Sequence, residues 1–171
     1  SKKIAAALTS LTTIVATTFA TISAAPAHAA DSNTSVPPEI TMPGSPDGIP
    51  SAGNGPIKLF IYPASVYALA HPGTNPQGAN NFSCKPREGQ NPVVLLPGTN
   101  FDAYASWSMY APKLTKLGYC VFSPNFNGLK LLPNFAYTGD IRVSAKAVSG
   151  FVDRVLTATG SKKVDLIGWS Q

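Results

Sequence analysis

Histidine, cysteine and carboxylates are all scarce in this chain. Two histidines and two cysteines stand among 171 residues, and no cluster of them has the spacing of a metal site, so no metal is expected. Eight Asp and Glu face 13 Lys and Arg, a net charge of +5. Lys2 and Lys3 supply two of those positive charges; without them the balance is +3. There is no basic run and no basic helix face, which argues against a nucleic-acid partner. Internal repeats are also missing, which excludes repeat architectures. What remains is a lightly charged sequence, 12% charged and 44% hydrophobic, apolar enough to fold. Its length suits one domain with its own core.

The first residues read as an export signal. Ser1-Lys2-Lys3 is a short positive region, and Ile4 to Ala20 carries no charge. Ala27-His28-Ala29 is a small-x-small site, so residues 1–29 are expected to be a signal peptide cut after Ala29. The expected location is extracellular. Both cysteines, Cys84 and Cys120, fall in the exported part, where an even pair is more often a disulfide than two free thiols. Residues 30–56 are rich in Pro, Gly, Ser and Asn and read as a flexible lead-in. The folded part is expected over residues 57–171.

Within that part, Lys58 to Tyr62 suggests a short strand, and His71 to Glu88 is turn-rich. Val93-Val94-Leu95-Leu96 lies between Asn91-Pro92 and Pro97-Gly98, the signature of a strand buried on both faces. Ser106 to Leu117 places Trp107, Tyr110, Ala111, Leu114 and Leu117 at helical spacing, with Gly118 as its stop. A second strand spans Tyr119 to Phe122, and a loop covers Asn125 to Gly139. Asp140 can cap a second helix whose face is Ile141, Ala145, Val148, Val152 and Val155, ended by Gly160. Val164 to Ile167 is a third buried strand. Alternating strands and helices predict an α/β fold with a parallel sheet.

Functional groups gather at the carboxyl ends of parallel strands. Pro97-Gly98-Thr99-Asn100 follows the first strand there, and Gly168-Trp169-Ser170-Gln171 follows the third. A tight strand-to-helix turn can lift a serine above the sheet edge, with glycine two positions before it because space is short. Gly168 holds that position relative to Ser170. The backbone N–H of Gln171 and that of Thr99 are the expected oxyanion donors, each of the kind whose loss costs about 2.7–4 kcal/mol in serine hydrolases. His71, Asp102 and Asp165 are weighed as partners of the serine and read instead as structural.

These residues carry a resemblance. GANNFSCKP (Gly78–Pro86), PVVLLPGT (Pro92–Thr99), LTKLGYCVFSPNF (Leu114–Phe126) and FVDRVLTATGSKKVDLIGWSQ (Phe151–Gln171) resemble secreted actinobacterial triacylglycerol lipases and esterases of the α/β-hydrolase fold. The resemblance implies Ser170 as nucleophile, Thr99 and Gln171 as oxyanion donors, and Cys84 paired with Cys120. Pro97 and Trp169 stand where that family usually has histidines. The pairing of PGT with WSQ is instead similar to the fungal lipase B type. In this fold the acid and the histidine follow the serine along the chain. The expectation is therefore the N-terminal part of such a hydrolase, inactive by itself. No cofactor is expected, the substrate is an acylglycerol-type ester, and a lipid–water interface is a possible partner. Two alternatives stay open: a cell-envelope acyltransferase or cutinase-like enzyme, and a non-catalytic secreted binding protein of the same fold.

Overall fold

The computed structural model describes residues 38–129 and 135–170. The signal-peptide reading of residues 1–29 and the role given to Gln171 lie outside the described residues.

Three strands build a parallel sheet in the order β2-β1-β3. β1 is Val93–Leu96, β2 is Val121–Phe122 and β3 is Asp165–Gly168. The Val-Val-Leu-Leu run sits in the middle, and its side chains alternate between two cores. Val93 and Leu95 join Val121, Trp107 and Ala111 on one face. Val94 joins Phe122, Phe126, Phe151 and Val155 on the other. This is why the run is continuously apolar: a central parallel strand buries both faces.

Four α-helices accompany the sheet among the described residues: α1 Ile61–Ala70, α2 Ala103–Trp107, α3 Tyr110–Lys116 and α4 Ile141–Thr159. The strand expected over Lys58 to Tyr62 is instead the approach to α1, through Phe60, and the first two residues of that helix. Pro63 does not prevent that helix, because it falls in the first turn, where backbone N–H groups have no intrahelical partner. Ala64 and Ala68, one turn apart, let α1 approach Tyr104 and Ala105 of α2 closely.

The single helix expected over Ser106 to Leu117 is two helices that part at Ser108 and Met109. Pro112 is the cause. In a continuous helix its ring would clash with the Ser108 carbonyl, so the helix restarts and Pro112 takes a first-turn position. Trp107 and Ala111 are buried as expected, whereas Tyr110 and Leu117 are exposed. Gly118 closes α3 at φ +88°.

Asp140 caps α4 by accepting a bond from the Arg142 N–H at 2.8 Å. Gly160 ends it in the left-handed conformation at φ +73°. The buried face, however, is Val143, Ser144, Phe151, Val155 and Thr159. Phe151 decides this, because its ring meets those of Phe82 and Phe126 edge-on. Ile141, Ala145 and Val148 are turned toward a cleft beside Trp169.

β3 differs most from expectation. Among the described residues it pairs with β1 alone, and it is exposed along its whole length. Ahead of the sheet, residues 38–56 pack onto the domain rather than run free. Met42 and Ser45 are buried there, and Ser45 accepts a bond from Asn125.

Candidate functional site

Two loops leave the carboxyl ends of β1 and β3, and adjacent pairing of the strands brings them side by side. Leu96 pairs with Gly168, and the Trp169 N–H continues the ladder to the Leu96 carbonyl at 3.3 Å. The first loop is a tight turn in which the Phe101 N–H bonds the Gly98 carbonyl at 3.2 Å. Asn100 takes φ +70° at its third position, a place where asparagine tolerates the left-handed region. The Asn100 N–H is taken by the Ala136 carbonyl. Thr99 is exposed, and its N–H has no partner among the described residues. It is free to donate outward.

Ser170 follows β3 at φ +60° and is exposed. A serine seldom takes that conformation. It costs on the order of 1–2 kcal/mol, which the surrounding fold must offset. The two loops touch through Gly98. A Cβ there would lie 2.7 Å from the Trp169 carbonyl oxygen and 3.0 Å from the Ser170 Cβ. Gly98, rather than Gly168, is therefore the crowded glycine. A Cβ on Gly168 would meet nothing among the described residues, so the steric reason expected for glycine at that position is not seen. The Phe101 ring tilts against that of Trp169, with centroids 5.2 Å apart, and closes the joint.

The turn is held from below. Asp102 caps α2, its Oδ1 accepting the Ala105 N–H at 2.7 Å. Asn125, just past β2, accepts the Ala103 N–H at 2.6 Å. The capping reading of Asp102 is thus what the structure contains, with one addition. The carboxyl is fully buried, and its Oδ2 has no hydrogen-bond partner among the described residues. Desolvation pushes its pKa up to about 7, against the lowering effect of backbone bonds from Ala105 and its neighbours.

The other candidates are engaged elsewhere. His71 stacks on Tyr67 at 4.1 Å and bonds the Tyr67 carbonyl through Nδ1. Asp165 accepts a bond from Asn91 at 2.9 Å. Cys84 and Cys120 form a disulfide, with Cα atoms 5.7 Å apart, tying the turn-rich segment to the start of β2. Among the described residues no cluster of His, Cys, Asp and Glu could hold a metal.

No known family model matches this chain, and no curated protein is found to be related to it.

Two hollows have Trp169 in their walls. One, of about 250 Å³, lies between β3 and α4, with Pro97, Tyr137, Ile141 and Val148 in its walls. The other, of about 310 Å³, lies between the start of α1 and the α2–α3 junction, with Phe60, Trp107 and Tyr110 in its walls. The joined loops therefore present an exposed serine on a strained backbone, an amide N–H without an acceptor among the described residues, and apolar hollows that share Trp169. Sequence reasoning singled out Ser170 and Thr99 and read Gly98 as a point of close backbone approach, which the contact with Trp169 and Ser170 bears out; it missed Phe101. The one available signal was the aromatic at Phe101, three residues past Gly98.

Proposed function

We propose that this chain carries the nucleophile and oxyanion half of an exported serine esterase or lipase of the α/β-hydrolase type. One observation carries the reading. Ser170 holds a left-handed backbone at the carboxyl end of β3 while Gly98 packs against it. That is the conformation a nucleophile elbow needs to project its hydroxyl. Ser170 attacks the ester carbonyl, and the alcohol leaves. An acyl-enzyme remains, and water then hydrolyses it. The Thr99 N–H, which no acceptor among the described residues uses, and the N–H of Gln171 hold the oxyanion. Phe101 and Trp169 keep the two loops in register. The apolar hollows beside Trp169 accept the hydrocarbon parts of the ester. The proton on Ser170 must pass to a base oriented by an acid. His71 and Asp102 are not assigned those roles, because their bonds serve the Tyr67 carbonyl and the α2 cap. The Cys84–Cys120 disulfide and the charge pattern of residues 1–29 support export.

The test is turnover of a short-chain p-nitrophenyl ester by the secreted protein expressed from its complete coding sequence. Ser170→Ala is expected to lower kcat by roughly 10⁴-fold or more with the fold intact. Turnover that survives Ser170→Ala would overturn the assignment.

A further inference from the structure

A third hollow, of about 490 Å³, lies between α4 and the segment that packs ahead of the sheet. It shares no wall residue with the two hollows at Trp169. Its size suits a small-molecule ligand. Its charges are sorted by element. Glu39 and Asp47 stand on the leading segment, and Lys146 and Arg154 stand on α4. Among the described residues no ion pair or hydrogen bond engages the Glu39, Asp47 or Lys146 side chain. Burial, and then the neighbouring Asp47 carboxylate, push the Glu39 pKa up, as befits an acid without a cation beside it. Arg154 stacks its guanidinium over the Phe82 ring at 4.9 Å, a contact that leaves the N–H edge to donate.

Gly150 opens the helical wall between the two cations. It lies one turn after Lys146 and one turn before Arg154, about 6 Å from each along the axis. Glycine in the middle of a helix is less favourable than alanine. Neither crowding nor backbone conformation asks for it here. A Cβ on Gly150 would meet nothing within 4 Å, and its φ is not in the left-handed region. What the missing side chain leaves is room beside two cations. Phe126 and Phe151, whose rings pack edge to face, add apolar wall. A plain anion in this hollow would face two carboxylates, and a plain cation would face Lys146 and Arg154. A metal ion finds no cluster of ligands among the described residues. A ligand with one charge of each sign meets a partner on both walls.

We propose that this hollow binds a small zwitterion, an ammonium and a carboxylate on an apolar frame, of the size of a free dipeptide. The carboxylate lies over Gly150, between the Lys146 ammonium and the Arg154 guanidinium. The ammonium faces Glu39 and Asp47, and the apolar part covers Phe126 and Phe151. The site does not depend on Ser170 or on the function proposed above.

The experiment is isothermal titration calorimetry of the protein expressed from its complete coding sequence, with leucyl-leucine as the probe. Circular dichroism of each variant checks the fold. Saturable binding is expected at millimolar peptide. N-acetyl-leucyl-leucine, which lacks the ammonium, and leucyl-leucinamide, which lacks the carboxylate, should each bind about tenfold more weakly. Lys146→Gln/Arg154→Gln should remove the discrimination against the amide and keep that against the acetyl peptide. Glu39→Gln/Asp47→Asn should do the reverse, and asparagine tolerates the φ of +52° at position 47. Gly150→Leu should fold at least as stably, because leucine is the better helix former, and should abolish binding by filling the gap. Ser170→Ala should bind as the parent does, so failure of the esterase reading and failure of this one are told apart. Unchanged binding by Gly150→Leu would overturn the proposal. So would equal binding of the capped and free peptides, or no saturable binding by the folded parent.

Discussion

Asp102 is asked to do two things that pull its ionisation apart. As the cap of α2 it accepts the Ala105 N–H, which favours the carboxylate; as a buried group whose Oδ2 has no hydrogen-bond partner among the described residues it favours the acid. Burial wins, and the pKa rises from 3.8 to about 7. The unfolded chain gives up this proton near 3.8, whereas the folded chain keeps it to about 7. The contribution of Asp102 to stability is therefore complete below about pH 4, is lost progressively between about 4 and 7, and is level above that. Asp102→Asn keeps an acceptor for the cap and removes the charge. Its urea midpoint should lose that slope, with a gain on the order of 1–3 kcal/mol above neutral pH. Parallel curves for parent and variant would contradict the argument. Gly98 makes a second prediction at this scale. Gly98→Ala pushes a methyl group into the Trp169 carbonyl and the Ser170 Cβ. Ester turnover should fall about 10²-fold, since a displacement of about 1 Å costs that much, and the unfolding temperature should fall too, because the obstructing Trp169 carbonyl is backbone and cannot swing aside.

Among the elements, what could be read from sequence was what local chemistry fixes. β1 announced itself by four apolar residues between prolines, and α4 by Asp140 in front and Gly160 behind. The orientation of α4 did not, because the size of Phe151 and the rings around it outweigh the periodicity of the smaller residues. α1 was hidden because it is apolar all round, which leaves no period to detect, and because Pro63 reads as a breaker until its first-turn position is known. The split between α2 and α3 was legible in Pro112 but only if the Ser108 carbonyl is considered. In the site, Gly98, Thr99 and Ser170 stood out by their places after strands. The contact of Phe101 with Trp169 depends on how two loops meet in space, which no spacing in the chain records. The disulfide joins such elements too. Cys84 and Cys120 are 36 positions apart, and a closed loop of that size contributes about 2–4 kcal/mol. Cys84→Ser/Cys120→Ser should lose that amount in urea unfolding under oxidising conditions. Mass spectrometry of the alkylated, unreduced parent should find no free thiol.

For the whole molecule, the decisive relation is between sheet order and site. β1 lies between β2 and β3, so the turn after β1 and the turn after β3 must be neighbours at the same edge. One touches the other through a glycine, and the serine beyond it is held where serines rarely rest. Among the described residues β3 stands at the edge of the sheet, paired with β1 on one side, and an unpaired edge with exposed Leu166 and Ile167 is where self-association is expected first. Strain at Ser170 and packing at Gly98 matter together only if the serine reacts. Treatment of the protein expressed from its complete coding sequence with a fluorophosphonate, followed by peptide mass spectrometry, measures this directly. The expected result is one adduct, on Ser170, absent in Ser170→Ala and slowed about 10²-fold in Gly98→Ala. An unlabelled Ser170 in folded protein, or an adduct on another serine, would contradict the assignment of Ser170 as nucleophile.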